Sequence, residues 1–143
     1  MFFDRYSLYN IALMHHKKVH PRKEHHGATG LRGRVWIDGP EGTFLGYGRI
    51  TLLERIREHG SVTRAAKSME MSYRHAWELV ESMNRQSGRP LVELAAGGKG
   101  GGGARLTATG EKAVALFWKF YEDFQDFLKK EEKVLDVEFN TDF

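Results

Sequence analysis

The segment from Gly60 to Val80, GSVTRAAKSMEMSYRHAWELV, concentrates side chains suited to contacting a polyanion with an ordered pattern of polar edges. Arg74 can give two parallel hydrogen bonds to the O6 and N7 of a guanine, and Glu78 can accept from the amino group of a cytosine. The two lie four residues apart, so one helical face carries both. Ser72 stands where it would cap that helix, and a capped start leaves backbone N–H groups and the positive helix end free for phosphate. Tyr73 and His75 share the first turn. Tyr73 and Trp77 are weighed toward packing, with Tyr73 kept among the contact candidates. Thr63 and Arg64 open the preceding helix and suit contacts to a sugar-phosphate backbone.

A second cluster follows. Six of the seven residues from Gly97 to Gly103 are glycine, and the seventh is Lys99. Glycine costs about 0.5–1 kcal/mol relative to alanine inside a helix or strand, so this run marks a loop tip. A nucleotide-cradling loop of the G-x-x-x-x-G-K-[ST] type is excluded, because Gly100 follows Lys99 where a hydroxyl is needed. A dinucleotide fingerprint is excluded too, since ARLT rather than a helix follows the glycines. The remaining reading is a hairpin tip in which Gly98, Lys99 and Gly100, with Arg105 on the returning strand, reach a phosphate or the minor groove. Such a tip is expected to be mobile without its target.

Periodicity supplies the elements that must hold these groups. LRGRVWID (31–38) alternates as a strand and ends at the turn Gly39-Pro40-Glu41-Gly42. Ile50, Leu53 and Ile56 start a helical stripe that stops at His59-Gly60. Ser61 caps a short helix with Val62, Ala65, Ala66 and Met69 inward. Ser72 caps the next, with Ala76, Leu79, Val80 and Met83 on one face and a stop at Gly88-Arg89-Pro90. Small alanines let the two helices cross closely, and Met71 and Val80 fill the angle between them. LVEL and ARL form short strands around the glycine loop. Thr107 caps a long last helix from Gly110 to about Lys133. The order β-α-α-α-β-β-α predicts a mostly α fold with small β: a winged helix-turn-helix with a glycine-rich wing and a long C-terminal dimerisation helix at about 110–135. The winged-helix domain is expected over 31–143, after a flexible His/Lys-rich arm at 1–30.

The last helix carries more aromatic surface than a small core needs. Phe117, Trp118, Tyr121, Phe124, Phe127 and Leu128 are read as a homodimer interface, since a helix apolar over more than one stripe is buried on more than one side. A two-fold dimer suits inverted half-sites about one helical turn apart.

Composition narrows the classes. The chain has 143 residues, a formal net charge of +3 and no cysteine, so it has neither disulfides nor a thiolate site. Residues 1–36 hold seven Lys/Arg against two Asp/Glu, whereas 104–143 hold six against nine. The basic end would attract a polyanion and the acidic end would not lie on one. Apolar runs are far shorter than the ~20 residues a bilayer needs. Nothing resembles a leader peptide, so a cytoplasmic location is expected. No cofactor motif, Ser/His/Asp set or paired carboxylates supports catalysis. His15, His16, His20, His25 and His26 in the arm are metal-ligand candidates through imidazole. They motivate an alternative: a metal- or oxyanion-responsive module acting through the arm or through a partner chain.

One family shares these residues. GRI-x-LLE-x-I from Gly48, GS-x-x-x-AA from Gly60, MSYR-x-AW from Met71, Met83-Asn84, and LVE followed by GGKGGGGA-x-LT-x-x-G together resemble the N-terminal domain of ModE-type molybdate-responsive transcriptional regulators. The resemblance covers roughly 48–110. It implies a winged helix of the LysR-like subtype, dimerisation through the first and last helices, and an inverted-repeat DNA target. Full-length members carry C-terminal molybdate-binding barrels. After its long helix this sequence has no room for one and no SARNQ-like motif, so molybdate binding by this chain is not expected. Glu70 stands where many helix-turn-helix turns have glycine, which asks for a strained or extended backbone there.

Overall fold

The computed structural model describes residues 30–95 and 103–139. The arm histidines and the loop-tip residues Gly98, Lys99 and Gly100 lie outside the described residues. The chain divides into two compact units. One spans 35–117; the other combines the described residues 30–34 with 118–139.

The first unit opens with an antiparallel hairpin, β1 (Trp36–Gly39) and β2 (Gly42–Gly46), with a register shift between Ile37 and Asp38. The strand expected over 31–38 is therefore shorter and later, and β2 is a second strand that the expected order β-α-α-α-β-β-α does not contain. A strand exists only where its backbone groups find a ladder partner. Trp36–Gly39 finds one in β2, and 31–35 does not. Three helices follow: α1 (Tyr47–His59), α2 (Val62–Ser68) and α3 (Tyr73–Gln86). Helix α1 begins three residues before the expected Ile50. Its N-cap is Gly46 in extended geometry, with no side-chain cap to announce it. Its end is as expected: Gly60, at φ 64°, donates its N–H to the Ile56 carbonyl.

Strands β3 (Val92–Leu94) and β4 (Ala104–Leu106) pair antiparallel as the wing hairpin, and α4 (Ala108–Phe139) runs through both units. Thr107 caps α4 as expected, its Oγ1 accepting from the Gly110 N–H at 3.0 Å. The helix continues six residues past Lys133. The first unit's core is built from Ile50, Leu52, Leu53 and Ile56 of α1, Val80 and Met83 of α3, and Val114 and Phe117 of α4, all essentially inaccessible. Ala65, Ala66 and Ala76 are buried with them, so small residues do stand where α2 and α3 approach. Leu79 and Met69, expected inward, are only half-buried.

Arg49 and Gln86 join elements across this unit. Arg49 donates from Nη1 to Ser82 Oγ at 3.0 Å, and burial lowers its guanidinium pKa from the ordinary value. Gln86 donates to the Thr43 carbonyl and to Ser82 Oγ, and its Oε1 accepts from the Glu41 N–H. The β1–β2 hairpin is thereby fastened to the last turn of α3.

In the second unit, residues 30–34 run along one face of α4. The Leu31 N–H donates to Glu132 Oε1 at 3.0 Å, and a Cβ on Gly33 would stand 2.6 Å from Cζ of Phe124. Leu128, one turn on, is buried on this face.

The tightest approach in the first unit is at Gly110, where a Cβ would lie 2.2 Å from the backbone oxygen of Leu91. Backbone cannot yield as a side-chain tip can. Gly110→Ala is expected to cost about 3 kcal/mol, the upper end of overpacking, and to lower Tm by roughly 10 °C or more. Gly88→Ala, which meets nothing within 4 Å, should leave the thermal melt nearly unchanged.

Candidate nucleic-acid interface

The turn between α2 and α3 sets the angle of the candidate reading helix. The Ala66 carbonyl accepts from both Met69 and Met71 N–H, at 3.0 and 3.1 Å, and Glu70 N–H reaches the Lys67 carbonyl. Closing this turn puts Glu70 at φ 55°, the one left-handed non-glycine among the described residues. That is the strained backbone which the position called for, at a cost of about 1–2 kcal/mol for a residue with a Cβ. Both helix starts are capped as expected. Ser61 Oγ accepts from Arg64 N–H at 3.3 Å, and Ser72 Oγ accepts from His75 N–H at 3.1 Å.

The cap on α3 leaves its first two turns facing solvent. Tyr73 is 54% exposed, so its ring is not part of the core, while Trp77 is half-buried as expected. His75 is exposed and Ala76 is fully buried beside it. Arg74 has 89% of its side chain exposed and donates from Nε to Glu78 Oε1 at 3.0 Å, with Glu78 itself 56% exposed. The two candidate readers are thus a pair, not two independent groups. On α2, Thr63 and Arg64 are exposed. Lys67, one turn beyond Arg64, is exposed on the same helix and was not among the sequence candidates. Its i, i+3 spacing from Arg64 was the available signal. Neither Arg64 nor Lys67 makes an ion pair among the described residues.

Arg105 projects from β4 and pairs with Glu93 of β3 at 3.3 Å across the hairpin, not with α3. What joins the wing to α3 is Asn84, another residue without an assigned role in the sequence reading. Its Oδ1 accepts from the N–H groups of Leu91 and Val92 at 2.8 and 3.1 Å, and its Nδ2 donates to the Val92 carbonyl at 3.0 Å. The Ala104 N–H donates to the Gly60 carbonyl at 2.9 Å, fastening the other strand to the end of α1. The wing's base is fixed on both sides.

The proposed interface residues divide by exposure. Phe117, Trp118 and Leu128 are buried in the single chain, and Tyr121 and Phe124 are half-buried. Tyr121 meets the Trp118 ring edge-on, and Phe124 stacks near Phe127 and lies against Gly33. Phe127 is exposed, as are Leu116, Phe120, Val134, Val137 and Phe139.

Three helices with a capped, solvent-facing third, followed by a two-stranded wing, define a winged helix-turn-helix domain. Residues 48–111 match the family model described as bacterial regulatory helix-turn-helix protein, lysR family. The chain is 40% identical over 103 residues to the molybdenum transport protein ModE of Azotobacter vinelandii, which takes in 72% of this chain and 38% of that protein. It is 38% identical over 116 residues to the molybdenum-pterin-binding protein MopB of Rhodobacter capsulatus, covering 81% of this chain and 43% of that one. It is 46% identical over 69 residues to the DNA-binding transcriptional dual regulator ModE of Escherichia coli K12, covering 48% and 26%. The segment 48–111 is a lysR-type helix-turn-helix domain, and the chain is a ModE-type relative. It spans about two fifths of the length of the first two relatives. No helix among the described residues is long and apolar enough to cross a membrane.

Asn84→Ala strands two N–H donors and one carbonyl at the α3–wing joint. With about 1–3 kcal/mol for an unsatisfied buried group, the loss is expected to be about 2–3 kcal/mol in chemical denaturation, with the m-value unchanged.

Proposed function

We propose that this protein is a sequence-specific, homodimeric DNA-binding transcriptional regulator acting in the cytoplasm. The observation that carries the reading is the start of α3: a capped, exposed pair of turns bearing Tyr73, Arg74, His75 and Glu78, within a segment matching a regulatory helix-turn-helix family. Helix α3 enters the major groove by its N-terminal end. Arg64, Lys67, Thr63 and the N-terminus of α3 hold phosphates, and Arg105 with Lys99 contacts backbone flanking the site. Residues 31–143 act as one DNA-binding and dimerising module, with 1–30 as an arm. The names of the relatives, molybdenum transport and molybdenum-pterin binding, point to genes of molybdenum handling as targets.

The exposed face of α4 supports dimerisation. Phe120, Asp123, Phe127, Lys130 and Val134 recur at alternating spacings of three and four, and all five are exposed. That is the period of a helix-pairing seam. An antiparallel pair centred on Phe127 sets Phe120 against Val134 of the second copy and Asp123 beside Lys130 of the second copy. The seam is self-complementary in shape and in charge, as a two-fold contact requires. The flanking face at Phe124, Leu128 and Glu132 is taken by the chain's own residues 30–34, and Phe117 and Trp118 are buried, so the dimer uses Phe127 and its neighbours, not Phe117, Trp118 or Leu128.

Two measurements test these readings. Sites selected from random duplexes should show an inverted repeat, with binding that weakens steeply as salt rises. Arg64→Ala and Lys67→Ala should each reduce the slope of log K against log salt by about 0.9 and weaken selected and scrambled duplexes alike. Binding with neither sequence preference nor salt dependence would sink the proposal. For the dimer, Phe127→Asp should halve the sedimenting mass to the 16.4 kDa of one chain without loss of helical circular dichroism.

A further inference from the structure

The ion pair on the reading helix runs in an unfavourable direction for helix stability. Arg74 is in the first turn, where the helix dipole favours an acid, and that turn holds none. An acid N-terminal to its basic partner is the better i, i+4 order, and here the order is reversed. Ser72 already satisfies the exposed N–H of His75. An i, i+4 pair in this order supports a helix less than the reverse order does, so helix stability is a weak reason for this arrangement at the solvent-facing start of α3.

The geometry of the pair suggests another. Glu78 holds Arg74 through Nε, which leaves the Nη1 and Nη2 end of the guanidinium facing outward as a two-pronged donor. The pair as a whole is nearly neutral. A phosphate brought to that end meets the Glu78 carboxylate close behind the guanidinium and is repelled. A guanine edge offers two neutral acceptors and no net charge, so it meets no such repulsion. By contrast Arg64 and Lys67 have no carboxylate partner among the described residues and are suited to phosphate.

We propose that Glu78 is a specificity-determining residue: it positions Arg74 for a guanine edge and suppresses the use of the same guanidinium on backbone phosphate. The proposal rests on the DNA-binding reading above. It makes Glu78 a filter against non-specific DNA that acts through Arg74, and assigns a G·C pair to each half-site.

The test is fluorescence-anisotropy titration of the full chain with its selected duplex and with a scrambled duplex, each at several salt concentrations. Wild type, Glu78→Gln, Arg74→Ala and the double variant are compared. Glu78→Gln is expected to tighten scrambled-duplex binding roughly 3–10-fold and to steepen its salt slope by about 0.9, one further phosphate contact. The ratio of selected to scrambled affinity should fall at least tenfold, with the loss confined to substitutions at the assigned G·C pair. In the Arg74→Ala background the Glu78→Gln change should leave that ratio unaltered. Overlapping far-ultraviolet spectra and melts confirm that α3 is intact. An unchanged ratio in Glu78→Gln, or the same change without Arg74, overturns the proposal while leaving DNA binding standing. Wild type that does not prefer its selected duplex overturns both.

Discussion

Both backbone groups of Leu91 are engaged, and the site depends on that residue. Its N–H is held by the Asn84 side chain from α3, and its carbonyl accepts from the Thr107 N–H at 2.9 Å and from the Thr107 hydroxyl. The same carbonyl lies where a side chain on Gly110 would have to stand. One peptide segment therefore joins the end of the reading helix, the start of the wing and the start of the longest helix. Buried backbone groups must find partners, and here they come from α3 and from the N-cap of α4. The wing cannot swing relative to α3 without breaking this joint.

With the joint fixed, the local geometry of the helix-turn-helix follows from caps and small residues. Ser61 and Ser72 end the freedom of two chain segments, and Ala65, Ala66 and Ala76 let their helices close up. Glu70 pays the remaining conformational cost in the turn between them. Tolerating a left-handed glutamate is a price set by the turn length: two residues, Glu70 and Met71, must bring the chain back onto the Ala66 carbonyl.

Charge on the exposed surface is arranged more than its net value suggests. Arg55, Arg57, Arg74, Arg85 and Arg105 are each within 4 Å of a carboxylate. Exposed pairs of this kind contribute only about 0–1 kcal/mol to stability. Their larger consequence is that each of these guanidiniums is partly neutralised where it stands, whereas Arg64 and Lys67 on α2 have no carboxylate partner among the described residues.

Local signals determined much of the protein. Apolar periodicity gave the helices, serines and Thr107 gave their starts, Gly60 gave a stop, and the glycine run between LVEL and ARL gave a wing. The Ser72 cap and the shared face of Arg74 and Glu78 were legible because these residues are neighbours along α3, where spacing alone fixes which side chains meet. Tertiary structure decided what depends on partners distant in sequence. Strand β2 has a weak pattern and exists because β1 lies beside it. Asn84 looks like any polar residue near a helix end until Leu91 and Val92 are brought to it. Phe117, Trp118 and Leu128 share a stripe with Phe127, and only packing showed that three are buried while Phe127 is exposed. Periodicity reports that a helix is apolar on several sides; it takes the folded chain to say which side the chain covers itself.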